Sequence, residues 1–193
     1  MDIIAKTTSK KILISGVFAS GKSTLVKKLT NRLVFEGIKV NTVGEIPRRC
    51  PFALNQNQTT LASAWLIGEQ IKAEVEESIG NYDLLICDRA IPDIFSHSIV
   101  LKREEKQATL STIISLAKAW SNTYDLVFWA KADPNLPIET DGVRVPDKKY
   151  QFFLEKNIEK AFAMIGISPK LLPQKTEDRI EYVCSKIYEL LDK

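Results

Sequence analysis

The sequence lacks long apolar runs and has few cysteines, and both shortages restrict the class of protein. No apolar run approaches the ~20 residues needed to span a bilayer, and the opening segment MDIIAKTTSKK has no apolar signal core. The three cysteines, Cys50, Cys87 and Cys184, are far apart and odd in number, so they form neither a metal-binding spacing nor a disulfide framework. We therefore expect a cytoplasmic, soluble protein without a membrane partner, with its cysteines buried as small apolar side chains.

Net charge and histidine are also scarce. A net charge of +3 over 193 residues is weaker than the basic stripe typical of nucleic-acid-binding proteins, so nucleic acid is not expected as a partner. The single histidine, His97, has no partner that the sequence identifies, and we interpret it as a helix-surface or partly buried residue. The length suits one domain, with a short lead-in at 1–9 and a single domain at 10–193.

Short apolar runs alternate with segments of helical periodicity along the whole chain. The runs predict buried strands at 11–15, 38–44, 82–87, 124–129 and 170–172. The periodic segments predict helices at 23–36, 59–79, 91–101, 104–121, 150–165 and 176–191, and the first carries Leu25, Leu29, Leu33 and Val34. This alternation predicts an α/β fold in which helices cover both faces of a parallel sheet. Ligands of such sheets bind beyond the carboxyl ends of the strands.

The strongest motif follows the first predicted strand. Residues 16–23 (GVFASGKS) fit the phosphate-binding pattern G-x-x-x-x-G-K-[ST] and lead into a predicted helix. The glycines allow close approach of the backbone to phosphate oxygens, and the N–H groups from Ala19 to Thr24 can surround a triphosphate. Lys22 is expected to bridge the β- and γ-phosphates, and the Ser23 hydroxyl is expected to ligate Mg²⁺. The predicted ATP-binding residues are Gly16, Ala19, Ser20, Gly21, Lys22, Ser23 and Thr24.

Charged residues follow the next strands at the same predicted edge. Asp88 ends the strand YDLLIC and is placed to hold Mg²⁺, although it could instead cap the next helix. Arg89 could bind a phosphate or carboxylate of the substrate, or form an ion pair with Asp93 or a glutamate. Glu45 could accept or orient the proton of an attacking hydroxyl, or it could be a solvated loop residue.

Further acceptor-side candidates lie in the segment after Glu45, which we predict to be a loop over 45–57. Arg48 or its neighbour Arg49 could contact a substrate, or the pair could simply be exposed. Trp65, on the helix that follows, is a candidate for contact with a base, and Phe52 is a similar one.

A long polar stretch over 131–149 predicts a lid. Loops of this length inside a compact domain are usually functional or disordered. Arg144 lies within it and could neutralise charge on a transferred phosphoryl group, whereas the alternative is a solvated turn.

Four segments together resemble a known group. GVFASGKST, GEIPRR, YDLLICDR and PNLPIETDGVR, in this order, are similar to the small P-loop kinases of nucleosides and nucleotides, and most of all to the kinase domain of the NadR group. That group is an AAA-type ATPase family that phosphorylates ribosylnicotinamide. The resemblance covers about residues 10–190 and implies a P-loop fold with five parallel strands in the order 2-3-1-4-5 and a lid.

The sequence therefore favours an ATP- and Mg²⁺-dependent kinase that acts on a small nucleoside- or nucleotide-like acceptor. Lys22, Glu45, Asp88 and Arg144 are its predicted catalytic residues, and Glu45, Arg48, Trp65 and Arg89 its predicted substrate-binding residues. The alternatives are a GTPase or regulatory ATPase, and a kinase that processes nucleic-acid ends. The residues leave open the acceptor, the choice between Glu45 and Asp88 as the base, and the oligomeric state, a homodimer included.

Overall fold

The computed structural model describes residues 9–44, 46–99, 107–134, 137–138 and 147–193. Its strands are β1 (Lys10–Ser15), β2 (Val40–Val43), β3 (Leu84–Asp88), β4 (Leu126–Trp129) and β5 (Lys170–Leu171). Its helices are α1 (Lys22–Phe35), α2 (Thr60–Glu77), α3 (Ile91–Ser98), α4 (Gln107–Ser121), α5 (Lys148–Ile165) and α6 (Thr176–Leu191). Two short 3-10 helices, Ile46–Arg49 and Asn55–Asn57, lie between β2 and α2.

The five strands form one sheet in the order β2-β3-β1-β4-β5, and every neighbouring pair is parallel. This confirms the predicted order. The register pairs Ile14 with Asp88 and Ser15 with Trp129, so three strands end at the same level. The loops that follow β1, β3 and β4 therefore share one edge of the sheet, because parallel strands all point the same way.

The central strand β1 explains why helices cover both faces of the sheet. Ile12, Leu13 and Ile14 are fully buried, and successive side chains of a strand point to opposite faces. Ile12 and Ile14 pack in a cluster with side chains of α1 and α6, whereas Leu13 packs in a cluster with β2, β3 and Tyr124. A strand that is apolar on both sides can only be stable when both sides are covered.

Three details differ from the sequence-based expectations. The segment 45–57, predicted to be a loop, contains the two 3-10 helices, and the helix predicted to reach residue 101 has its last helical residue at Ser98. Val34 was placed on the apolar face of α1, but its side chain is 54% exposed. Leu25, Leu29 and Leu33 follow a four-residue spacing along one face, and the next residue lies about 100° around the helix.

The cysteine and membrane expectations can also be compared with the structure. Cys87 and Cys184 are buried, Cys50 is half-buried, and all three are free thiols. Within the described ranges, no helix combines the length and the hydropathy that a membrane crossing requires.

Candidate active site

Two glycines in the loop between β1 and α1 have positive φ angles, a conformation that favours glycine. Gly16 has a φ of 149°, and a Cβ atom there would lie 2.3 Å from the carbonyl oxygen of Ala130. Gly21 has a φ of 81° and forms the N-cap of α1. The first N–H groups of α1 lack intrahelical acceptors, and they carry the positive end of the helix dipole. The loop thus offers a concave set of donors for an anion.

Lys22 and Ser23 lie at the start of this helix in different environments. Lys22 is buried, and its ammonium donates to the Val17 carbonyl and to Ser20 Oγ, which is 3.2 Å away. Ser23 and Thr24 are exposed. The loop therefore surrounds a positive charge, while the hydroxyl groups beside it face solvent.

Asp93 fastens the loop to α3. Its Oδ1 accepts hydrogen bonds from the Gly16 N–H at 2.9 Å and from Ser15 Oγ at 3.1 Å, and its Oδ2 accepts from the Ala90 N–H at 3.1 Å. Burial raises the pKa of this carboxyl group, and the nearby charge of Lys22 opposes the shift. Asp93 therefore connects α3 to the first residue of the phosphate-binding loop.

Arg179, on α6, connects the loop to two strand ends. Its guanidinium donates to the carbonyl oxygens of Ser20 at 2.6 Å, Pro173 at 2.6 Å and Lys131 at 3.2 Å. Pro173 follows β5, and Lys131 follows β4. The side chain is 4% exposed, and burial lowers its pKa. This one buried cation holds together three segments at the edge of the sheet.

Asp88 is the last residue of β3, and Arg89 follows it directly. Asp88 Oδ1 is buried and has no hydrogen-bond partner among the residues that the structure describes. Arg89 has a φ of 71°, a left-handed conformation that costs a non-glycine residue about 1–2 kcal/mol. The two residues therefore combine an unsatisfied carboxylate oxygen with a strained backbone, features that cluster at functional sites.

A cavity opens beside Arg89 and Asp93 on the side of α2 and α3. The space inside it that a water-sized molecule can enter is about 40 Å³, and its mouth opens to solvent. Its walls are formed by Pro47, Leu54, Asn55, Gln58, Leu66, Gln70, Arg89, Asp93, Ile94 and His97. Because Asp93 also bonds to Gly16, the cavity adjoins the phosphate-binding loop.

A family model described as an AAA domain matches residues 11–179, which is most of the chain and includes this loop. The chain belongs to this AAA-domain family. No curated protein matches the sequence.

Solved structures place this AAA-domain chain in the fold of P-loop nucleoside kinases. One similar structure is deoxyadenosine kinase from M. mycoides with dCMP and dCDP bound. It is 16% identical in sequence with a TM-score of 0.65, and the alignment covers 93% of this chain and 99% of that one. A NadR protein in complex with NR is 15% identical with a TM-score of 0.68, over 94% of this chain. A NadR protein with NAD and AMP-PNP is 14% identical with the same TM-score, over 96%. This chain spans half the length of the two NadR chains.

Within this AAA-domain fold, the predicted phosphate-loop residues and Asp88 and Arg89 lie at the same edge of the sheet. Arg48 is exposed on the 3-10 helix that also carries the cavity residue Pro47. Trp65 is half-buried and packs against an apolar cluster of α2, α3 and α4, and it is not among the residues that line the cavity. Phe52 is 41% exposed.

Two predicted catalytic residues, Glu45 and Arg144, lie outside the described residues, as does most of the second half of the predicted lid. The helix that follows the lid is described, and its start contacts the phosphate loop. Tyr150 stacks on Phe18 with ring centroids 6.3 Å apart, and Gln151 Nε2 donates to the Phe18 carbonyl at 2.8 Å. The start of α5 is therefore attached to the phosphate loop through Phe18.

Sequence reasoning missed four residues of the site, namely Asp93, Arg179, Gln70 and His97. Asp93 had been considered only as an ion-pair partner of Arg89, but in the described structure its carboxylate accepts from Ser15, Gly16 and Ala90 instead. The position of Asp93 three residues beyond Ala90, at the start of a helix, was the one signal that the sequence offered.

His97 is half-buried, as expected, but it also forms part of the cavity wall. Its Nδ1 lies 3.3 Å from the hydroxyl of Tyr150. Burial and the charge of Arg89 lower the pKa of His97 to about 3, so its imidazole is neutral at physiological pH.

Proposed function

We propose that this protein is an ATP- and Mg²⁺-dependent kinase that transfers the γ-phosphoryl group to a hydroxyl or phosphate of a nucleoside-like acceptor. The observation that carries the proposal is the cavity beside Arg89, which Asp93 joins to Gly16 of the phosphate loop by a 2.9 Å hydrogen bond. A hydrolytic switch needs no second cavity beside its triphosphate, whereas a kinase must hold two substrates in line.

The donor half of the site is the phosphate loop. Its N–H groups and Lys22 bind the triphosphate, because a buried ammonium and a helix N-terminus both attract anions. Lys22 then exchanges its contacts with Val17 and Ser20 for the β- and γ-phosphate oxygens. Arg179 holds the loop in place during binding, since its guanidinium is anchored on carbonyl groups from two strand ends.

The residues beside the loop fit a magnesium ion. The buried Oδ1 of Asp88 has no partner in the described part of the chain, and the Ser23 hydroxyl is exposed at the start of α1. Carboxylate and hydroxyl oxygens, supplemented by water and phosphate, are the ligands that Mg²⁺ prefers. Asp88 and Ser23 would hold the ion, and the ion would supply neutralisation of charge on the phosphate oxygens.

The acceptor half of the site is the cavity. Leu54, Leu66 and Ile94 give it apolar walls suited to a flat ring, and Gln58 and Gln70 supply amide groups. Arg89 lies between this cavity and the phosphate loop, where its guanidinium binds a phosphate or hydroxyl oxygen of the acceptor. Glu45 orients the attacking hydroxyl or accepts its proton, and Arg144 neutralises charge on the transferred group.

Phosphoryl transfer to a panel of nucleosides, nucleotides and ribosylnicotinamide, measured with radiolabelled ATP and Mg²⁺, tests this proposal. Native protein should label one small acceptor, and Lys22→Ala should abolish the labelling. Lys28→Ala is the matched control. Lys28 lies on the same helix with a half-exposed side chain paired to Glu177 at 3.7 Å, so its loss should leave transfer unchanged. ATP hydrolysis that ignores every acceptor would contradict the proposal.

The roles of Glu45 and Arg144 need separate variants. Glu45→Gln should depress turnover far more than it weakens ATP binding, and Arg144→Ala should do the same if the arginine acts on the transferred group. Unchanged turnover in either variant would remove that residue from the mechanism.

A further inference from the structure

Glu74, on α2, is a fully buried carboxylate whose oxygens accept hydrogen bonds from four side chains. Oε1 accepts from Tyr124 OH at 2.7 Å and from Gln70 Nε2 at 2.9 Å. Oε2 accepts from Trp120 Nε1 at 2.8 Å and from the Lys11 ammonium at 2.9 Å. A carboxylate offers about four acceptor sites, and these four donors occupy them. In each of these four contacts Glu74 is the acceptor.

This arrangement fixes the amide of Gln70, a cavity residue that is 2% exposed. Its nitrogen donates to Glu74 at 2.9 Å and to the carbonyl oxygen of Arg89 at 3.4 Å. A reversed amide would place its oxygen against the carboxylate and the carbonyl, where no hydrogen is available. Both N–H groups are thus directed at the protein, and the side-chain hydrogen bonds that Gln70 makes among the described residues come from its nitrogen.

Gln58, also in the cavity wall, is oriented by the same reasoning. The hydroxyl of Ser63 donates its single hydrogen to the Thr59 carbonyl at 3.2 Å. It can therefore only accept from Gln58 Nε2, which lies 3.0 Å away. The Gln58 oxygen consequently points away from Ser63. The amide groups of this wall are arranged by their protein partners before any ligand binds.

We propose that Glu74 is a positioning residue that holds the Gln70 oxygen toward the cavity, so that the site selects acceptors carrying an amino or carboxamide N–H donor on the ring. This inference rests on the proposed function and narrows its substrate class. An acceptor with a carbonyl or carboxylate oxygen at that position would place this oxygen against the Gln70 oxygen, and no hydrogen bond could form between them. A buried polar group left without a partner reduces affinity about 10- to 100-fold.

Matched acceptor pairs test the proposal, each pair differing in an amino or amide group against a carbonyl or carboxylate. Suitable pairs are adenosine with inosine, cytidine with uridine, and ribosylnicotinamide with its carboxylic acid. For the pair that is phosphorylated, the native kinase should favour the amino or amide member by about 10-fold or more in kcat/KM. Equal use of both members, or preference for the carbonyl member, would overturn the inference.

Two variants separate positioning from a merely structural role. Glu74→Gln can donate as well as accept, so it permits the Gln70 amide to reverse, and the preference should shrink to within about 3-fold. Trp120→Phe removes another donor to Glu74 without touching Gln70, so it should lower stability but retain the full preference. If Glu74→Gln does not fold, Gln70→Met removes the oxygen itself and should also abolish the preference.

The possible outcomes test the acceptor selection separately from the proposed kinase function. Transfer to no acceptor at all refutes the kinase and the selection together. Transfer that occurs with a preference unchanged by Glu74→Gln or Gln70→Met refutes only the selection.

Discussion

Replacing Arg179 by methionine removes the cation that connects the phosphate loop to the ends of β4 and β5. The native side chain donates three hydrogen bonds to carbonyl oxygens, two of them at 2.6 Å. Hydrogen bonds from charged groups contribute about 1.5–3 kcal/mol each, and the desolvation of the buried guanidinium offsets part of that gain. We expect a net loss of about 3 kcal/mol in the free energy of unfolding.

The expected loss corresponds to a fall in Tm of about 6–12 °C, since each kcal/mol shifts Tm by about 2–4 °C in a domain of this size. ATP binding should weaken as well, because Ser20 belongs to the phosphate loop and its carbonyl loses its anchor. We expect Kd for Mg·ATP to rise about tenfold, equivalent to about 1.4 kcal/mol. Urea denaturation and titration with a fluorescent ATP analogue measure the two effects.

Arg32→Met is the matched control for this experiment. Arg32 is also a helical arginine with two carboxylate partners, Glu36 and Glu181, but its side chain is one-third exposed. Exposed pairs of this kind contribute less than about 1 kcal/mol. The control should therefore change neither Tm nor ATP affinity appreciably. If Arg179→Met is destabilised as expected yet binds ATP with the native Kd, Arg179 does not hold the loop for binding.

Three further predictions follow from buried contacts of the site. Gly16→Ala should abolish ATP binding and lower the free energy of unfolding by about 2–3 kcal/mol in urea denaturation, because its Cβ would lie 2.3 Å from the Ala130 carbonyl oxygen. A variant with native ATP affinity and native stability would contradict the loop geometry. Asp93→Asn should have a free energy of unfolding about 2–4 kcal/mol lower than the native protein, since its amide nitrogen would face a backbone N–H donor. If the variant unfolds at the same urea concentration as the native protein, Asp93 does not stabilise the connection between the loop and α3. Stability should fall as pH drops from about 6.5 toward 3, because the unfolded state protonates His97 and the folded state, with its pKa of about 3, does not. Between pH 7 and 5 this loss is on the order of 1–2 kcal/mol, and His97→Gln should show a shallower pH dependence in the same denaturation series.

The phosphate loop could be predicted from local sequence pattern alone. Its glycine spacing, the preceding apolar strand and the following helix are all encoded within about 25 residues of sequence. The strand order could also be predicted, because buried strands that alternate with helices permit few arrangements and a family resemblance selected one. Boundaries were less accurate, since the 3-10 helices over 46–57 depend on packing of Ile46 and Leu54 beneath α2.

The residues that line the cavity, which is the proposed acceptor site, depend on contacts that sequence does not reveal. Trp65 is a sequence-based candidate for base contact, and its half-buried side chain packs against an apolar cluster, whereas the neighbouring Leu66 lines the cavity. The two residues lie about 100° apart around α2, and the packing of neighbouring helices decides which of them faces the opening. The packing of neighbouring helices likewise decides that His97, on α3, lines the cavity.

By itself, the sequence determined the parallel α/β fold and the position of the phosphate loop, because both arise from short-range periodicity and from the spacing of the loop glycines. Only the tertiary structure decided that Asp93 joins Gly16 to the cavity, that Arg179 connects three segments, and that Glu74 accepts a hydrogen bond from Gln70. Each of these contacts joins side chains to groups on other helices and loops. A hydrogen bond requires donor and acceptor within about 3 Å, and only the folded chain brings such groups that close.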